Sequence, residues 1–188
     1  MRKFFITASL LVCVLILISS GCQSEERGLP IGSIEMTITS PAFGEGEAIP
    51  MKYTCDGENT SPALEWSNPP EGTLSLVIIM DDPDAPEKVF THWLIYNLSS
   101  DIRKLAEGVP AGRELEDGIL QGRNDFNTYG YGGPCPPSGQ THQYRFTIYA
   151  LDKELDIEAG IVKNKLLDAI NDHIIAYGQF TANYARQP

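Results

Sequence analysis

Two segments of this chain gather side chains that can move protons or hold a charged group. The first is DPDAP, Asp82 to Pro86, with His92-Trp93 six residues further on. The second is GYGGPCPPSGQTHQY, Gly130 to Tyr144, which ends in His142 and Tyr144. The chain has three histidines, and these segments hold two of them. Pro83 and Pro86 restrict φ, so Asp82 and Asp84 have little freedom to wander. A carboxylate that accepts from one imidazole nitrogen fixes the tautomer, raises the ring's pKa and aims the other nitrogen outward. His92 follows Asp82 and Asp84 closely enough to be that imidazole. Gly130, Gly132 and Gly133 lack Cβ, so backbone amides there can be exposed and approached. His142 and Tyr144 lie two apart at a strand entrance and so face the same way. Two imidazoles, a phenol and free loop amides make a cup of donors that suits phosphate or another compact anion. With both imidazoles protonated in turn, binding is expected to tighten from about pH 7.5 to about pH 6.

Other chemistries use the same residues. Two carboxylates and two histidines are also a donor set for Zn²⁺ or Mn²⁺ in metal-dependent phosphoester hydrolysis, although no His-X-X-X-His pair is present. Cys135 as a nucleophile is the weakest reading, because prolines on both sides remove donors for an oxyanion hole. Taken singly, Asp82 and Asp84 read as strand-end carboxylates capping amides, and the Gly/Pro run as a surface loop. Their joint occurrence with His92 and His142 favours a ligand pocket.

The elements that must position these residues are mostly strands. Leu74 to Met80 is a continuous apolar run leading into Asp81-Asp82, as in a buried central strand. Ile34 to Ser40 alternates, Phe90 to Leu98 and Tyr144 to Leu151 are rich in aromatic and β-branched residues, and Gly178 to Tyr184 reads as a final strand. Leu166, Leu167, Ile170, Ile174 and Ile175 recur at three and four, predicting a helix over Lys163 to Tyr177 closed by Gly178. His173 falls on that helix, away from both motifs, as a solvated or partly packed side chain. Many strands with one helix imply a mostly β domain with antiparallel sheets.

The ends bound the domain. Residues 1–22 have Arg2 and Lys3, an apolar stretch from Phe4 to Ile18, and Ser19-Ser20-Gly21 before Cys22, the order of a lipoprotein-type signal. Cys22 is then expected to be lipidated, anchoring the domain to a membrane in the cell envelope; an uncleaved N-terminal anchor or plain secretion would also place it outside the cytoplasm. Residues 23–33 are a polar tether. Residues 34–188, about 155 residues, are one domain. The net charge is −11, or −13 once the two positive charges of Arg2 and Lys3 leave with the signal. Such a surface repels phosphate backbones and argues against nucleic-acid partners. Cys55 and Cys135 remain, as one disulfide or as two buried thiols.

DPDAP, His-Trp, and Gly-Pro-X-Pro-Pro-X-Gly before His-X-Tyr together resemble the phosphatidylethanolamine-binding protein family, in its bacterial and archaeal Raf-kinase-inhibitor-like branch. The resemblance runs from about Met36 to about Tyr184 and includes Tyr53-Thr54-Cys55-Asp56-Gly57 and Ser61 to Trp66. It implies a large central β-sheet packed on a smaller one with peripheral helices. It also implies a non-enzymatic pocket for phosphate-type head groups at Asp82, Asp84, His92, Gly133, Pro134, His142 and Tyr144, with Trp93 packed beneath. No cofactor or metal is called for. A protein target of protease or kinase type remains open, protease inhibition being the better fit outside the cytoplasm, as does a homodimeric state. The chain departs from the family in carrying Gln143 where Arg is frequent, and no helix to cover the pocket is evident after Tyr184.

Overall fold

A run that is apolar at every position can be buried on both faces only in the middle of a sheet. In the computed structural model, which describes residues 34–188, β4 (Ser75–Asp82) takes that place, with every residue buried. The other strands are β1 (Ile34–Glu35), β2 (Ile38–Thr39), β3 (Leu64–Trp66), β5 (Phe90–Ser99), β6 (Lys104–Leu105), β7 (Leu120–Gln121), β8 (Thr141–Leu151) and β9 (Ile174–Ala185). The order β1-β9-β8-β4-β5-β7 forms a six-stranded sheet, and β2-β3-β6 a three-stranded one. All pairings are antiparallel except that of β1 with β9. The helix α1 spans Lys163–Ile170.

The large sheet is apolar on both faces because each face has its own cover. Leu76, Ile78, Met80, Trp93, Ile95, Phe146 and Ile148 face the small sheet and pack with its Leu64 and Trp66. Val77, Ile79, Leu94 and Tyr96 face the other way and pack with Leu166 and Ile170 of α1. Burying one such side chain contributes about 1.5–3 kcal/mol, so this two-sided core holds the motif segments in register. The mostly β architecture of two packed sheets agrees with the expectation.

Two elements differ from the sequence reading. The helix stops at Ile170, and Ile174 and Ile175 belong to β9, where Leu151 pairs with Ile174 and Ala150 with Ala176. The last residues of β8 need a ladder partner, and a strand of β-branched and aromatic residues supplies it better than another helical turn. His173 therefore lies in the turn between them, its Nδ1 2.9 Å from Asp152 Oδ1. The alternating stretch from Ile34 to Ser40 is split between the two sheets rather than forming one strand. It bends where the Met36 carbonyl packs against Gly178, so closely that a Cβ there would meet the oxygen at 2.1 Å. Residues 1–33, including Cys22 and the expected signal and tether, lie outside the described residues.

Candidate functional site

Asp81 and Asp82 end β4 and, being consecutive in a strand, point to opposite faces. Asp81 turns toward α1, where Lys163 Nζ lies 2.7 Å from its Oδ2. Asp82 turns toward β8, where His142 Nδ1–H donates to Asp82 Oδ2 at 2.7 Å. The other oxygen, Asp82 Oδ1, accepts from the Asp84 backbone N–H at 2.9 Å, the short-range turn that Asp-Pro-Asp favours. Asp84 itself is exposed and braces β8 by accepting from the Gln143 N–H at 2.8 Å.

His92 reaches the same place through a β-bulge. Met80 pairs with Trp93, but Asp81 pairs with Thr91, leaving His92 as an extra residue in β5. Strict alternation would turn His92 to the α1 face, opposite Trp93. The bulge puts both on one face, and the His92 ring meets the Tyr144 ring edge-on at 5.1 Å. Phe90 and Phe126 complete an aromatic surround, each 5.2 Å from the imidazole. Its Nδ1–H donates to the Gly132 carbonyl at 2.6 Å.

This overturns the expected pairing. The carboxylate's imidazole is His142, and His92 is held by a backbone carbonyl. Burial depresses the His92 pKa below its ordinary value, against the opposing pull of the Gly132 carbonyl and the charge of Asp82. Neutral His92 thus carries its proton on Nδ1 and leaves Nε2 as an acceptor. Tyr144 is fully buried, and its hydroxyl is pushed well above the usual phenol range by burial first and by the Asp82 charge second. The Asp82 carboxylate and the Cys135 N–H both reach toward it as hydrogen-bonding groups, but neither meets the geometry of a formed bond, so the hydroxyl is left without a proper partner.

The glycine loop differs from expectation as well. The Gly132 N–H donates to the His92 carbonyl and the Gly133 N–H to Asn59 Oδ1, so neither amide is free. Gly133 is required because its backbone lies against Tyr53 and Thr54, where a Cβ would come within 2.3 Å of the Tyr53 carbonyl. Pro134 is buried beside it, and its carbonyl accepts from the Cys55 N–H at 3.1 Å. Cys55 and Cys135 form a disulfide with Cα atoms 5.4 Å apart, which fixes this wall covalently. Trp93 is wholly buried and donates to Gln121 Oε1, beneath the site as expected.

Asp82, His92, His142 and Tyr144 therefore converge, Gly133 and Pro134 form a packed wall, and Asp84 stands outside as a brace. Sequence reasoning missed Phe90, Phe126 and Gln140, whose Oε1 lies 3.3 Å from His142 Nε2. An aromatic or a glutamine in a loop carries no local signal; only the fold brings them to the imidazoles. Among the described residues, no three His, Cys, Asp or Glu side chains are grouped to hold a metal ion. Two cavities, of about 190 and about 170 Å³, lie elsewhere, one along Met36, Phe43 and Phe180 and the other beside Leu74 and Asn97.

Comparison with known proteins gives the same family that the motifs resemble. Residues 39–185 match a family model described as phosphatidylethanolamine-binding protein. A UPF0098 protein of Methanothermobacter thermautotrophicus is 48% identical over 151 residues, covering 80% of this chain and 99% of that one. A UPF0098 protein of Pyrococcus abyssi is 43% identical, covering 83% and 89%. The crystal structure of CT736, a homologue of phosphatidylethanolamine-binding proteins from Chlamydia trachomatis, superposes with a TM-score of 0.74 at 40% identity, over 81% of this chain and 99% of that one. That of YbcL from E. coli does so at 0.75 and 33%, over 82% and 100%.

Proposed function

The chain belongs to the phosphatidylethanolamine-binding protein family, and from that premise we propose that it binds a compact phosphate-type anion between Tyr144, His92 and His142 without turning it over. The observation that carries this reading is the Tyr144 hydroxyl, buried next to the His92 ring and near the Asp82 carboxylate that His142 engages, with no well-formed bond of its own. An unsatisfied buried hydroxyl costs about 1–3 kcal/mol. A ligand oxygen that accepts from it recovers that cost and gains a charge-assisted bond. His142 Nε2 is the ring atom left for the ligand once Asp82 has taken Nδ1. His92 Nε2 accepts from a protonated phosphate when neutral and donates when charged.

Binding rather than catalysis is supported by how fully the reactive groups are committed. Both Asp82 oxygens are occupied, by His142 and by the Asp84 amide. Cys135 is tied to Cys55, which leaves no thiolate for nucleophilic attack. We place the domain outside the cytoplasm, on the leader-like residues 1–22 and on a disulfide of the kind that persists in oxidising compartments. Metabolic labelling with a radioactive fatty acid, lost in Cys22→Ala, tests that placement.

The binding reading is tested by calorimetric titration with inorganic phosphate and O-phosphoethanolamine at pH 6. Dissociation constants on the order of 1 mM are expected for so small a ligand, abolished in Tyr144→Phe and in His142→Ala. No heat from either ligand, or equal binding by both variants, defeats it.

A further inference from the structure

We infer that Gln140 is a specificity-determining residue of this site: its side-chain amide occupies the ligand position at His142 and must be displaced by the anion. The inference rests on the binding reading above and adds to it a built-in competitor.

His142 Nδ1 is fixed on Asp82 at 2.7 Å, so Nε2 is the ring atom that an incoming group can engage. Gln140 Oε1 already lies there, at 3.3 Å. The backbone that carries Gln140 is held from several sides. Its carbonyl accepts from the Arg186 N–H at 3.1 Å, and the Gly139 N–H donates to the Arg186 carbonyl at 2.9 Å. Arg186 Nε in turn donates to Asp56 Oδ1 at 3.1 Å, one residue beyond the Cys55–Cys135 bridge. The turn is therefore fixed, while the Gln140 side chain is exposed and its amide meets His142.

An amide suits this role because it serves both states of the ring. With its oxygen toward Nε2 it accepts from imidazolium; turned over, its NH₂ donates to the neutral ring. An anion can replace it only in the first state, where an ionised acceptor outcompetes a neutral amide oxygen lying 3.3 Å away. Gln140 thus sets a threshold that weakly charged or poorly placed oxygens do not cross.

Calorimetric titration of wild type, Gln140→Ala and Gln140→Glu with inorganic phosphate at pH 6 tests this. Gln140→Ala should bind about two- to tenfold more tightly, because the competitor is gone. Gln140→Glu should bind at least about tenfold more weakly, because a carboxylate holds imidazolium better than an amide does. Unchanged or weaker binding by Gln140→Ala overturns the inference while leaving the binding reading intact. Absence of phosphate binding by wild type overturns both. A second readout needs no ligand: in NMR spectra at a fixed pH of about 6 the His142 Nε2 resonance should move in Gln140→Ala, because the ring loses the partner at that atom. The groups facing that ring are otherwise Asp82 from β4 and, across the ladder on β9, Tyr184 with its partner Asp56. None of these changes in the variant, so an unmoved resonance means that Gln140 does not address Nε2.

Discussion

Removing the Tyr144 hydroxyl should make the free protein more stable and the ligand site ineffective. Tyr144 is fully buried, and Phe keeps the ring that packs at 5.1 Å against His92. What leaves is an oxygen without a hydrogen-bond partner, whose desolvation costs about 1–3 kcal/mol. Tyr144→Phe is therefore expected to gain about 1 kcal/mol, with about 3 kcal/mol as the ceiling. For a domain of this size each kcal/mol moves the melting temperature by about 2–4 °C. The assay is urea and thermal unfolding of protein prepared without phosphate, followed by the same scans in phosphate. A ligand at ten times its dissociation constant adds about 1.4 kcal/mol to the wild type and should add nothing to the variant. A variant that loses 1 kcal/mol or more, or that gains from phosphate as the wild type does, refutes the reasoning, because the hydroxyl must then have a partner or no part in binding.

Asp82→Asn should cost about 2–4 kcal/mol in urea unfolding: it leaves His142 Nδ1–H facing an amide in a site where both side chains are almost fully buried. A cost below about 0.5 kcal/mol would mean that the pair contributes nothing. For His92 the sign follows from its depressed pKa. Below about pH 6.5 the unfolded chain takes up a proton that the folded chain refuses, so stability falls with pH from that value downward. Phe126→Ala, which admits water to the ring, should flatten this loss, and an identical pH profile would refute the assignment. Sulfate, whose charge does not change in this range, should bind more tightly as pH falls toward the depressed His92 pKa, since the anion favours the protonated ring. Replacing both Cys55 and Cys135 by Ser opens a bridge across 80 residues and should cost about 4 kcal/mol of stability, checked by unfolding with and without reductant.

Much of the architecture was legible in local pattern. The apolar run into Asp81-Asp82 identified the central strand, the β-branched and aromatic segments identified β5 and β8, and the restricted backbone around Asp82, His142 and Tyr144 marked the site. These are properties of neighbours in the chain: strand periodicity, fixed φ at proline, side chains two apart on one face. The reading failed where a distant segment decided. Ile174 and Ile175 fit a helix by spacing, yet the pairing of Leu151 with Ile174 and of Ala150 with Ala176 drew both into β9. The glycine amides looked available until Asn59 and the His92 carbonyl took them.

The identity of the imidazole that Asp82 holds shows the same division. Residue types alone put an acid and two histidines within reach of each other, and that much the chain states by itself. Which histidine receives the carboxylate depends on one extra residue in β5 and on the register of β8 against β4, pairings between segments that no local preference encodes. A shift of one residue in either strand reverses the face that a side chain occupies. Sequence therefore determined the chemistry available to this protein, and only the tertiary ladder decided which atoms meet.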